Sequence, residues 1–158
     1  MDLIFTQINP TELIILFKIT LAAVLSGMIG FEREHWHKSG GLRTYMLVGL
    51  GSVLITILST ELLTQFSTEI AMDPTRLSVG IVTGIGFIGA GMIIHKGGKT
   101  KGVTTAAGIW VTSAVAMAIG YGYYLYASYT TILTVFSLLI IGQIFKNTPV
   151  KDEEPSAG

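Results

Sequence analysis

Apolar runs separated by short polar stretches dominate the chain. A helix needs about 20 apolar residues to cross the hydrocarbon core of a bilayer, and five stretches are long enough: 12–31, 44–62, 76–94, 103–120 and 124–145. Thr11 and Glu12 after Pro10 open the first, which closes before Glu32-Arg33-Glu34. Arg43 and Glu61 bracket the second. Asp73-Pro74-Thr75-Arg76 starts the third, with Asp73 as N-cap and Pro74 at the first helical position. Gly97-Gly98 ends it, and Gly120-Tyr121-Gly122 separates the last two. The pattern predicts an all-α integral membrane protein, a bundle of five transmembrane helices. They occupy one domain, residues 1–146, and 147–158 form a short polar tail.

Composition supports this reading. Charged residues make up 13% of the chain, about half the roughly 25% of soluble proteins. The 44 residues between Lys101 and Lys146 hold no Asp, Glu, Lys, Arg or His. Met1–Pro10 lacks the basic segment of a signal peptide, so the first apolar run is expected to be retained. Cysteine is absent, which removes thiol chemistry and disulfides. A net charge of zero gives no field to draw nucleic acid.

The cations fix a direction. Arg33, Lys38, Arg43, Lys96, Lys99, Lys101, Lys146 and Lys151 fall on one side of the predicted membrane and only Arg76 on the other, with Lys18 inside the first span. Cytoplasmic loops carry the excess of Lys and Arg, so the N-terminus is expected outside and the C-terminus in the cytoplasm of a bacterial inner membrane. Tyr121, Tyr123, Tyr124 and Tyr126 then gather at the outer interface.

Helices in lipid associate through small residues that let backbones approach. Ala22, Ser26 and Gly30 form such a stripe in span one, and Gly49, Ser52, Thr56 and Ser59 in span two. Thr104, Gly108, Thr112, Ala116 and Gly120 do so in span four. Span three, with Gly80, Gly84, Gly86, Gly89, Ala90 and Gly91, is small on every face and is expected to be the central helix. Span five, rich in Leu, Ile and Phe, reads as peripheral. Gly84-Ile85-Gly86-Phe87-Ile88-Gly89 also fits the dinucleotide pattern, but no Asp or Glu lies between Asp73 and Asp152 to bind a ribose. Packing explains these glycines better, and no cofactor is expected.

Lys18 is an ionisable group within a span, where charges usually face the bundle. It continues the Ala22–Ser26–Gly30 stripe, and the expectation is that it reaches toward Asp73. Snorkelling to the outer headgroups is the alternative. Asp73 and Arg76 can pair across a helix start, and Glu32 and Arg43 across the first loop. Glu32, Glu34, His35 and His37 read as a solvated membrane flank rather than a metal cluster. The histidines lie in loops and no carboxylate pair lies in the spans, which argues against an enzyme.

Glu32-Arg33-Glu34 followed by Gly41-Leu42-Arg43-Thr44-Tyr45-Met46-Leu47-Val48 resembles the first half of the MgtC/SapB membrane-domain signature. The second half is Asp73-Pro74-Thr75-Arg76, Gly84-Ile85-Gly86-Phe87-Ile88-Gly89-Ala90-Gly91, Gly102-Val103-Thr104-Thr105-Ala106-Ala107 and Trp110. The resemblance adds Thr44 to the polar candidates and Thr105 and Trp110 to the packing ones, beside Gly108. It implies a bacterial cytoplasmic-membrane protein serving growth under magnesium limitation and survival inside host cells. Such a protein would regulate membrane energetics, including by contacting ATP synthase. Self-association, most simply as a dimer, is expected independently of the resemblance. Two departures stand out. Gly80 occupies a position where the family often carries Gln, and the sequence stops after span five, where many members continue into a soluble domain. An ion transporter is the rival reading, and an anion or lipid-headgroup site at Lys18 and Arg76 a third.

Overall fold

The computed structural model describes residues 9–66 and 76–141. Asp73, with its expected capping role, and the tail 147–158 lie outside them. Five helices follow in order: α1 (Pro10–His35), α2 (Leu42–Phe66), α3 (Arg76–Met92), α4 (Val103–Gly120) and α5 (Tyr124–Phe136), the last running on into a π-helical turn, Ser137–Ile141. The chain is an all-α membrane bundle. By length and composition α1, α2 and α4 can cross a bilayer, while α3 and the apolar stretch Tyr124–Ile140 are shorter apolar helices.

Helix α1 starts earlier and ends later than its apolar run. Asn9 caps it: the side chain accepts from Thr11 N–H, and Glu12 accepts in return from Asn9 N–H. That reciprocal box satisfies donors left over at a helix start, and Pro10 loses nothing at the first position. At the other end the helix carries on through Glu32-Arg33-Glu34 to His35.

Between α3 and α4 lies a hairpin that the apolar pattern did not reveal. β1 (Ile94–Lys96) pairs antiparallel with β2 (Lys99–Lys101), Lys96 opposite Lys99. Gly97 and Gly98 both have positive φ, 59° and 72°, as a two-residue hairpin turn of this hand requires. Strands of three residues are too short to show alternation. The Gly-Gly pair was their only mark.

The central helix is α4, not the glycine-rich α3. It packs against all four other helices, and its buried face runs from Thr105 through Gly108, Thr112 and Ala116 to Gly120. At Gly108 the helix meets the Tyr45 hydroxyl of α2, and at Gly120 it meets Thr56 of α2. Helix α1 meets α2 in the same manner, Gly49 against Ser26 and Gly30 against Tyr45 and the Leu42 backbone. By contrast α3 touches α4 chiefly through Ile81, Ile85 and Gly89. Gly80, Gly84, Gly86 and Gly91 have no atom within 4 Å of where a Cβ would stand, and Phe87 is 83% exposed. Small residues on every face permit close packing but do not select the face. The larger stripe that α4 can grip decides it.

Most buried hydroxyls with a partner in this core bond to backbone or to each other, whereas Ser26 Oγ, pressed against Gly49, is buried without one among the described residues. Ser52 of α2 meets Ser113 of α4 at 2.9 Å, while Thr56, Thr112 and Thr131 each donate to the carbonyl four residues back. Such internal pairing suits an interior without water.

Gly30→Ala and Gly120→Ala should each destabilise the bundle. Their methyl groups would stand 2.9 Å from the Leu42 backbone and 2.6 Å from Thr56 Cγ2, and overpacking typically costs about 1–3 kcal/mol. Gly84→Ala and Gly86→Ala should leave the thermal midpoint in detergent unchanged. Equal losses at all four positions would contradict this packing.

Candidate functional site

Two segments meet at one end of the bundle, the loop after α1 and the hairpin before α4. The loop is shaped by how α1 stops. Lys38 N–H bonds to Arg33 O and His37 N–H to Glu34 O, the paired bonds of a helix terminated by a left-handed residue. That residue is His37, with φ 50°. Gly40, also at positive φ, then brings the loop against Thr105 at the start of α4 and against Met92. Glu34 accepts from Leu42 N–H at 2.8 Å, which places a carboxylate on the N-terminus of α2.

Below the loop, Glu32 and Arg33 form a buried ion pair. Glu32 is 4% and Arg33 5% exposed. The guanidinium meets the carboxylate side-on, Nε to Oε2 and Nη2 to Oε1, the latter at 2.6 Å. Two parallel charge-assisted bonds are the strong geometry for such a pair. They are needed here because burial strips both ions of water. The structure therefore corrects two expectations: Glu32 pairs with its neighbour rather than with Arg43, and Glu32 and Arg33 are packed, while Glu34, His35 and His37 are exposed as a solvated flank would be. Arg43 is exposed and Thr44 half-buried. A signal was present in the sequence. Leu25, Ile29 and Glu32 continue one helical face, as do Ala22, Ser26 and Arg33, once α1 is allowed to run past Phe31.

Next to this pair, Tyr45 is fully buried and donates to the Thr105 carbonyl at 3.2 Å. The loop, α1, α2 and α4 are thus joined around Gly30, Arg33, Tyr45 and Thr105. Trp110, expected among the packing residues, is half exposed instead and lines a small cleft with Val82 and Met117. Beside Arg33 opens a cavity of about 490 Å³, bounded by His37, Lys38, Lys101 and the first residues of α4.

At the opposite end Lys18 donates to Gly120 O at 2.8 Å. The carbonyls of Met117, Ala118 and Ile119 are taken by Tyr121, Tyr123 and Gly122 N–H, so Lys18 supplies a donor that the terminus of α4 lacks. A cation is also favoured there by the helix dipole. Asp73, its expected partner, lies outside the described residues. Arg76 is exposed at the start of α3, where Ser78 and Tyr121 share a hydrogen bond across to the α4–α5 turn.

The sequence model described as the MgtC family matches residues 19–147, from the middle of α1 to beyond the last described helix. The chain belongs to the MgtC family. Among similar proteins, "Putative magnesium transporter YhiD" of Escherichia coli K12 is 40% identical over 82% of this chain and 61% of its own length. "Protein MgtC" of Brucella abortus is 38% identical over 72% of this chain and 45% of its own, and "Protein SapB" of Bacillus subtilis 39% over 70% and 49%. The chain thus spans between about half and three-fifths of these relatives. No solved structure matches it. Family membership and the apolar helices make this a bacterial membrane protein.

The Glu32–Arg33 pair yields a stability test. Glu32→Gln or Arg33→Gln alone strands a buried charge and should cost about 3–5 kcal/mol. Glu32→Leu with Arg33→Met should cost less than either. A double-mutant cycle on unfolding in detergent measures this, and additive losses would show that the two ions do not depend on each other.

Proposed function

We propose that this protein is a non-catalytic membrane module that modulates other membrane machinery during adaptation to low magnesium or to a host, with its basic end in the cytoplasm. The observation that carries the reading is the chemistry of the bundle interior. Among the described residues the buried polar side chains are hydroxyls together with Glu32 and Arg33, which neutralise each other. A path for Mg²⁺ needs several anionic or carbonyl oxygens around a reluctantly dehydrating ion. The cation Lys18 reaches into the bundle and would repel it. The segregation of lysine and arginine supports the orientation.

Magnesium enters this reading through the family resemblance and the name of YhiD. That name also speaks for the rival, transport itself. Regulation by contact requires a surface, and the open glycine face of α3 offers one on which a second copy could sit closely. The family resemblance suggests an ATP synthase subunit as the machinery addressed.

Purified protein in liposomes loaded with a Mg²⁺-sensitive dye should show no saturable uptake above protein-free vesicles. Saturable uptake would make transport the better reading. Because the chain has no cysteine, Gly84→Cys should give oxidised dimers in native membranes. Monomers alone would remove self-association through α3.

A further inference from the structure

The cavity beside Arg33 has a composition that neither the ion pair nor the membrane explains. Arg33, His37, Lys38 and Lys101 line it, and no carboxylate does. The two acids of this region are already committed, Glu32 to Arg33 and Glu34 to Leu42 N–H. Lys38 and Lys101 therefore have no acidic partner among the described residues. Arg33, although buried, makes its side-chain hydrogen bonds through Nε and Nη2 only, and a guanidinium carries five N–H donors. Its Nη1 group makes no hydrogen bond among the described residues and is not sealed from solvent, although the side chain as a whole is only 6% exposed and borders the cavity.

The start of α4 forms another wall. Its N-cap is Gly102, which has no side chain to accept from the first turn, and the first bond inward is Ala106 N–H to Gly102 O. The N–H groups of Val103, Thr104 and Thr105 precede that bond, and the positive end of the helix dipole lies with them. Donors thus converge from a guanidinium, two ammonium groups and a helix start.

We propose that this cavity binds a phosphate-class oxyanion. Several oxygens on one centre match donors arriving from several directions, and charge beyond one unit answers two unpaired lysines. About 490 Å³ falls within the range of small-molecule sites, roughly 300–1,000 Å³, and leaves room for an organic group attached to the phosphate. The phosphate is carried either by a soluble compound or by the headgroup of an anionic lipid, since the basic end of a membrane bundle meets both. This site stands on its own geometry and needs no part of the regulatory reading.

The full chain in uncharged detergent would be titrated with inorganic phosphate by calorimetry, and native mass spectrometry would follow phosphatidylglycerol retained from mixed nanodiscs. Saturable phosphate binding that weakens about tenfold in Lys38→Gln/Lys101→Gln and with rising salt is the expected result. The control is Lys96→Gln/Lys99→Gln, the same loss of charge on exposed hairpin positions that do not line the cavity. Retention of phosphatidylglycerol with the same dependence, and no response to phosphate, would assign the site to lipid. Equal weakening in both double variants, or no binding of either probe by the folded wild-type chain, would overturn the proposal.

Discussion

Gly108 lies against the Tyr45 hydroxyl and Gly120 against Thr56, and at these places side chains of α2 seat directly on the bare backbone of α4. No hydrophobic force draws helices together in lipid, so dispersion between closely approaching surfaces has to do it. The remaining architecture follows from that seam. Helix α1 closes on α2 by the same device at Gly30 and Gly49, and α5 covers what is left of α4 through Ala127 and Thr131. Tyr45, trapped at the crossing, turns its hydroxyl to the Thr105 carbonyl. The packing seam thereby sets the height at which the loop after α1 meets the start of α4.

Each end of the bundle settles its unpaired backbone differently. At the Tyr121–Gly122 turn the leftover carbonyl of α4 is met by an intruding lysine from α1. At the hairpin end the leftover N–H groups of α4 face a hollow ringed with cations. A single helix dipole thus has a cation at its negative end and an opening for an anion at its positive end. The buried Glu32–Arg33 pair lies between the packing seam and that hollow, and holds a guanidinium where a free arginine would extend toward water.

Much of the bundle was legible in the sequence because the bilayer reads length and charge, and both are local properties. The bounds of α4 followed from an uncharged stretch divided by Gly120-Tyr121-Gly122. The gathering of Arg33, Lys38 and Lys101 at one end followed from alternating loops. What was not legible depended on choosing between equivalent options. Glycines around the whole of α3 could not say which face would be used, whereas the isoleucines of α3 and the one-sided stripe of α4 did. Lys18 meets the Gly120 carbonyl, a partner that the sequence did not suggest, because helix ends present charge that no residue letter shows. Glu32 and Arg33 looked solvated only so long as α1 was taken to stop where its apolar run stops.

The hairpin between α3 and α4 has all six strand residues exposed, and its tip, Gly97-Gly98, has no atom within 4 Å of either glycine's Cβ position. For a chain of 16.9 kDa, that tip is a natural attachment point. An epitope or a rigid fiducial grafted there would stand clear of the bundle on a hydrogen-bonded stem. It would make so small a membrane protein large enough to image, and antibody access to it would show which side of the bilayer the cationic end occupies.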